Sequence, residues 1–463
     1  MTERNEKMEA RKENKMGTMP VSRLLISMSL PIMISMLVQA MYNIVDSIFV
    51  AQVSENALTA VSLAFPVQNL MIAVSVGTGV GINSLLSRRL GERNFEDANA
   101  TAENGLVLAV ISAALFALFG GLFSEQFFRL FTQTEEIVEM GTGYLTICTV
   151  FSFGIFLQVT AERIMQSTGN TIYNMITQGI GAITNIILDP ILIFGLYGMP
   201  AMGVNGAAAA TVVGQILAMV LGLLFNVLFN HDVRISFKGF RPNLRIIREI
   251  YKVGVPSIIM QSIATVMTIG MNKILIPFTE TAVSVFGVYF KLQSFVFMPV
   301  FGLTNGLVPI VAYNYGARKK ERIIHAVKDA ALYAFSIMAL GLLIFQTMPV
   351  QLLRMFKASD SMLAIGVPAL RLISISFLGA GVSIVFSSVF QAVGNGVLSL
   401  VTSVARQLIV ILPVAWLMAR EFGLNAVWLS FPIAEAVSLL LSLIFYHHVY
   451  QTMIEPLFEE EPA

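Results

Sequence analysis

Two carboxylates stand deep inside apolar stretches of the chain, Asp46 and Asp189. Ionisable groups at such positions are costly in a membrane and persist where they have a task. Asp46 is the only charge between Leu24 and Val53 and closes a polar stripe of Ser35, Gln39, Tyr42 and Asn43. Spacings of three and four place these side chains on one face of a helix. Asn174, Gln178, Asn185 and Asp189 form a second stripe. Asp189 precedes Pro190, which can free a backbone carbonyl for an ion or a kink. Two such carboxyls can share and release a proton. With Asn and Thr oxygens they can equally hold Na⁺, a hard cation that prefers oxygen ligands. Spacing alone leaves both chemistries open.

The elements that carry these groups follow from composition. The 463 residues are 56% hydrophobic and 12% charged, whereas a soluble domain is usually about 25% charged. About 20 apolar residues cross a bilayer as a helix, and Gly105 to Ser124 carries no charge at all. The expected fold is an all-α integral membrane protein with twelve spans, at 22–51, 57–87, 102–124, 138–161, 171–195, 204–229, 250–277, 282–313, 327–348, 361–391, 396–419 and 424–449. Many long runs exclude a β-barrel. Basic residues orient the chain. Arg4, Lys7, Arg11, Lys12, Lys15 and Arg23 precede span 1, and Arg88, Arg89 and Arg93 follow span 2. Six more lie between Arg234 and Lys252, and five between Arg318 and Lys328. With twelve spans all these loops share one side, so both termini are expected in the cytoplasm and the protein in the cell's plasma (inner) membrane. The acidic run Glu459, Glu460, Glu461 reads as a solvated end.

The two halves repeat at an offset of 225 residues. Pro31 falls on Pro256, Phe65 on Phe290, Gln68 on Gln293, Gly77 and Gly81 on Gly302 and Gly306, and Gly91 on Gly316. Arg129 falls on Arg354, and Gln166, Gly169 and Asn170 fall on Gln391, Gly394 and Asn395. Loops match as well as helices, which chance similarity of apolar segments does not produce. The organisation is therefore a tail (1–21), a six-helix lobe (22–229), a linker (230–249), a second six-helix lobe (250–449) and a tail (450–463). Six spans per half make the repeats parallel, an architecture of transporters whose sites lie near mid-membrane between or within the halves. Asp46 maps to Met271 and Asp189 to Val414. The scaffold does without these carboxylates in its second half, which favours a coupling role in the first.

The second half has polar groups of its own. Gln261, Thr265, Thr268 and Asn272 form a stripe in span 7, and Lys273, Lys291, Arg406 and Glu435 lie at membrane depth. Glu435 is expected to pair with Lys291 or Arg406, or else to attract a cationic substrate. The 25 methionines suit a promiscuous cavity. Net charge near zero argues against nucleic acid, and the single Cys148 cannot form an internal disulfide. The four histidines make no metal site. No nucleophile–base pair, zinc motif or nucleotide-binding loop is present, so the chain does not read as an enzyme, and no cofactor is expected beyond H⁺ or Na⁺.

The chain resembles the multidrug and toxic compound extrusion (MATE) family over nearly its full length, most closely its bacterial MepA-like branch. The segments that carry the resemblance are Ser29 to Pro31, Tyr42 to Asp46, Gly77 to Gly91, Gln166 to Asn170, Asn185 to Pro190 and Pro309 to Arg318. It implies two six-helix lobes and export of amphipathic, often cationic compounds driven by H⁺ or Na⁺, as in antibiotic resistance, by a monomer. Asp46, Asn185, Asp189 and Thr211 match the family's cation-coupling positions, with Na⁺ possible at Asp46, Asn185 and Asp189. Gln39, Tyr42 and Asn43 match the associated network. Gln178, Gln261, Asn272 and Glu435 join it as candidate network or cavity residues, and Pro31 matches the proline about which span 1 bends. The acidic residue that some members carry in span 7 is missing here. The alternative reading is a flippase for lipid-linked saccharides, which shares this architecture.

Overall fold

The computed structural model describes residues 13–458. Arg4, Lys7, Arg11, Lys12 and the acidic run 459–461 lie outside them. Ten helices are long and apolar enough to cross a membrane. They are spans 1 (Val21–Val53), 2 (Glu55–Gly91), 3 (Phe95–Arg129), 5 (Ile172–Phe194), 6 (Val204–Phe229), 7 (Leu244–Leu275), 8 (Glu280–Gly316), 9 (Lys320–Thr347), 11 (Gly396–Phe422) and 12 (Leu424–Leu457). Two bent pairs complete the twelve: span 4 is Glu135–Val150 with Phe153–Ser167 at 41°, and span 10 is Asp360–Ser374 with Phe377–Ala392 at 48°. Several helices outrun their apolar stretch. Span 7 starts at Leu244, within the expected linker, because Asn243 caps it by accepting the N–H groups of Arg245 and Ile246.

The backbone repeats as closely as the sequence does. Spans 2 and 8 are both 37 residues long. Each starts at an extended cap, Ser54 (φ −170°) or Thr279 (φ −171°), whose hydroxyl accepts an N–H of the first turn. Each is followed by an arginine in the left-handed region, Arg93 (φ 57°) or Arg318 (φ 56°). That conformation is unfavourable for a residue with a Cβ, yet both halves use it to turn the chain at one point.

Spans 2 and 8 join the lobes crosswise, span 2 against span 7 and span 8 against span 1. Glycine makes the approach possible. A Cβ on Gly81 would run into the carbonyl oxygen of Ile250, and one on Gly306 into Ser29. Gly91 and Gly316 meet the carbonyls of Tyr313 and Arg88 in the same reciprocal way. Backbones this close gain dispersion contacts that lipid cannot match. Polar bonds join the lobes from the Gly91 end of span 2 to about its middle. Ser84 Oγ donates to Gln391 O (2.7 Å), Arg89 pairs with Glu249 (2.9 Å), and Asn69 Nδ2 donates to Thr265 Oγ1 (2.9 Å).

The basic loops gather at this joined end. Residues 13–19 wedge between the lobes there. Asn14 Nδ2 donates to Thr168 O (2.9 Å) in the first lobe and to Asp232 Oδ2 (2.7 Å) in the linker. From the second half, Asn314 Nδ2 reaches Met16 O (3.0 Å) and Arg322 reaches the carbonyls of Met16 (2.9 Å) and Met19 (2.6 Å). Lys319 bonds Gly17 O and pairs with Glu13. The linker before span 7 docks likewise on span 3, where Arg245 pairs with Asp97 (2.8 Å). Arg322 is the repeat position of Asp97, so each lobe's first span is preceded by a segment clasped at the other lobe's second turn.

Toward the opposite end the lobes part. Met33 and Ser29 of span 1 pack on span 8, but Ile44, on the same helix face three turns on, is 48% exposed. Ile269 of span 7, on the face that packs on Gly77 and Gly81, and Ile276, which caps the helix, are likewise exposed. The result is a cleft between the lobes, closed at the basic end and open at the other.

Candidate functional site

Asp46 and Asp189 do converge. Their carboxyls lie within hydrogen-bonding reach of one another, between spans 1 and 5 inside the N-terminal lobe. Asn185, one helical turn before Asp189, bridges to span 6. Its amide nitrogen donates to Asp189 Oδ2 (3.3 Å), and its amide oxygen accepts from the backbone N–H and hydroxyl of Thr211 (both 3.1 Å). The Thr211 N–H can only donate, which fixes this orientation of the amide. Tyr42 lies against both carboxyls, its hydroxyl bonded to the Gln39 side chain. One oxygen of each carboxyl, Oδ1, is buried without a partner. The six residues Gln39, Tyr42, Asp46, Asn185, Asp189 and Thr211 thus form one cluster.

Span 1 divides this cluster from the cleft. The face that packs on span 8 carries Ser29 and Met33 and continues through Ala40, Ile44, Ser47 and Ala51. Asp46 and Tyr42 project from the other side, into the lobe. Asn43 falls between the two faces. It is exposed, and only its backbone carbonyl is engaged, by the Ser47 hydroxyl (2.9 Å). The sequence expectation places Asn43 in the network or the cavity; about 60° around the helix from Asp46, its side chain makes no bond to the cluster among the described residues and lies toward the cleft. Pro31 does not break span 1, which is helical throughout, and its carbonyl accepts from Ser35 Oγ (2.8 Å).

Gln178 is also placed differently. It lies three turns from Asp189 and donates to Glu162 Oε2 (2.8 Å). Glu162 is buried and accepts further bonds from Thr177 Oγ1 (3.0 Å) and Gln158 Nε2 (3.1 Å). Beside it, buried Arg163 donates to Gln166 Oε1 (2.8 Å) and to Asn305 Oδ1 (2.9 Å) of the other lobe. Sequence reasoning missed Glu162 and Arg163 because it ended span 4 at 161. The helix runs on to Ser167, so adjacent opposite charges that resembled a loop are interior groups. The available signal was the repeat, in which both positions fall on serines, Ser387 and Ser388, inside span 10.

In the C-terminal lobe Glu435 pairs with Arg406 (3.2 Å), not with Lys291. A π-helical turn over Ala405–Ile411 carries Arg406 to it, the kind of irregularity that aims a side chain the regular helix would misplace. Glu435 is buried and its Oε1 is unpartnered. Gln261 and Asn272 are half-buried on the cleft face of span 7, beside Thr265, which accepts from Asn69 across the lobes. They belong to the cleft and not to the carboxylate cluster.

The MatE family model matches the chain twice, over residues 31–191 and 256–417. The two matches begin 225 residues apart, in the register of the internal repeat. The multidrug export protein MepA of Staphylococcus aureus (strain MRSA252) is 25% identical over 429 residues, covering 92% of this chain and 94% of that protein. The outward-facing conformation of a multidrug resistance MATE family transporter of the MOP superfamily superposes with a TM-score of 0.90 at 25% identity, covering 97% of this chain and 99% of that one. A MOP superfamily transporter from Pyrococcus furiosus Vc1 (DSM3638), whose binding pocket is described as of reverse polarity, gives 0.89 at 26% identity, with 96% and 99% covered. The doubled match, the two six-helix lobes and the buried carboxylates agree: the chain belongs to the MatE family of multi-pass membrane transporters.

Proposed function

We propose that the protein is a secondary active efflux transporter of the plasma membrane, exchanging H⁺ for small amphipathic organic compounds, cationic ones among them, by alternating access. The observation that carries this reading is the facing pair of Asp46 and Asp189. Two carboxyls in contact hold a proton between them. Their orphaned Oδ1 atoms are costly in an apolar interior until a proton or donor arrives. Na⁺ fits less well. Asn185 turns its NH₂ to Asp189 and spends its oxygen on Thr211, so two of the three expected ligands offer an oxygen where a hard cation takes several.

Loading and unloading this pair changes the charge between spans 1 and 5, while span 1 walls the cleft with its other face. Pro31 has no N–H to bond the Ser27 carbonyl, which leaves span 1 free to bend below the pair. Ion and substrate then bind the two facing states with unequal affinity, the condition for coupling. The name of the MepA relatives, multidrug export proteins, supports the substrate class. The basic end is the cytoplasmic one by the distribution of Lys and Arg, so the cleft described above opens outward.

Efflux of a fluorescent organic cation from proteoliposomes, under an imposed pH gradient or an imposed Na⁺ gradient, tests the reading. The pH gradient should drive efflux and Asp46→Asn should abolish it. Efflux driven by Na⁺ alone would replace the proton with Na⁺, and no gradient-driven efflux of any of several cations would overturn export.

A further inference from the structure

The cleft does not display the charge that its acidic residues imply. Asp46 projects into the N-terminal lobe, and Glu435 is buried against Arg406. Between the outer ends of spans 1, 2, 7 and 8 and the glycine contacts that join the lobes, the remaining ionisable residues are Glu55, Lys273, Glu280 and Lys291. Glu55 and Glu280 begin their helices and Lys273 lies two residues from the end of span 7, so these three sit at the mouth, in water.

Lys291 sits deeper. It follows the first residue of span 8 by eleven positions, a descent of about 16 Å. Eleven residues also make three turns, so Lys291 projects within about 20° of Gly302, whose bare face packs on Met33 of span 1. The helix thus aims Lys291 at the N-terminal lobe where the lobes have parted. The opposite face of span 8 is filled by buried Phe286, Tyr289 and Leu292, packed into its own lobe. Lys291 and Phe295, one turn on, are exposed. Among the described residues no carboxylate pairs with Lys291; its ammonium lies over the Phe356 ring, 6.0 Å from the centroid. An ammonium with an aromatic face beside it and donors to spare fits a flat amphipathic molecule bearing an acidic group.

We propose that Lys291 is the specificity-determining residue of the cleft and that it recruits organic substrates carrying a carboxylate or a comparable anionic group, zwitterions included. This deepens the proposed export function and rests on the cleft being the substrate path. Asp46 and Asp189 then serve the ion, on the far side of span 1, and do not select the substrate.

A rhodamine dye with a free carboxylate and its ethyl ester share one cationic ring system and differ in the acidic group. Binding of both to the purified transporter by fluorescence anisotropy, and efflux of both from proteoliposomes, separates the two roles. Lys291→Met should weaken binding of the free acid about ten-fold, as loss of one charge-assisted bond does, and leave the ester within two-fold. Lys291→Arg should restore the acid. Ester binding shows that the variant is folded and that the cleft is the path; if neither dye binds wild type, the export reading fails instead. Equal effects on the two dyes, or none, would overturn the proposal. So would an effect on the acid confined to vesicles containing phosphatidylglycerol, which would assign the ammonium to a lipid headgroup.

Discussion

At the residue scale, the candidate ion site depends on one amide. Asn185 is the only side chain among those described that ties Asp189 to span 6, and it satisfies both ends by facing Asp189 with nitrogen and Thr211 with oxygen. Asn185→Leu keeps the helix and the volume but leaves Asp189 Oδ2 without that donor. Efflux in proteoliposomes should fall about ten-fold, the effect of one lost buried bond to a carboxyl, with little change in melting temperature. Glu162 is the opposite case. It holds Gln158, Thr177 and Gln178 at once; Thr177 can fall back on the Asn174 carbonyl, so Glu162→Leu strands the two glutamine amides at about 1 kcal/mol or more each. Its first effect should be a lower melting temperature in detergent, with Glu162→Gln milder because it retains a carbonyl acceptor.

At the scale of elements, spans 2 and 8 form the joint between the lobes. They are the longest helices, they carry the paired glycines, and each crosses to the opposite lobe. Their fit is steric, and a single methyl group disturbs it. A Cβ at Gly81 meets the backbone oxygen of Ile250, which cannot rotate away. Gly81→Ala should therefore spread the basic end of the lobes. Spin labels at Glu96 and Glu321, exposed repeat-related positions at that end, read the separation. The expected result is a longer or broader distance distribution than wild type. An unchanged distribution would mean that the glycines serve lipid-phase packing alone.

At the scale of the whole molecule, the closed end is held by polar clasps over the glycine seam. The segment 13–19 bonds both lobes, and Arg322 alone engages the carbonyls of Met16 and Met19 and the Asn314 side chain. In the proposed alternating access, opening the basic end would break these bonds and those of Arg89 with Glu249. Arg322→Ala should accelerate hydrogen exchange at the amides of residues 16 to 19 and shift the label distances in the direction of Gly81→Ala. Faster exchange without a change in distance would show that the segment only covers the seam.

Composition settled the solvent, and with it the all-helical class, because a chain this poor in charge can satisfy its backbone in lipid only within helices. The repeat was legible from residues at the helix ends and loops, such as Gly91 and Gly169; the second half repeats them at Gly316 and Gly394, and Gly169 (φ 87°) and Gly394 (φ 85°) share one left-handed turn. The facing of Asp46 and Asp189 was foreshadowed by two polar stripes, since helical periodicity fixes which residues share a face. What lies opposite a face is not encoded locally. Only the packing of spans 1, 5 and 6 showed that Asn43 stays unbonded to the carboxyls, that Gln178 serves Glu162, and that Asn185 offers Asp189 a donor and not an oxygen. Only the crossing of spans 2 and 8 revealed which side of span 1 meets the cleft. For that reason Asp46 and Asp189, read along the chain as the ion's partners, stand behind span 1 from the cleft, and Lys291, read as a partner of Glu435, is left without it, since Glu435 pairs with Arg406.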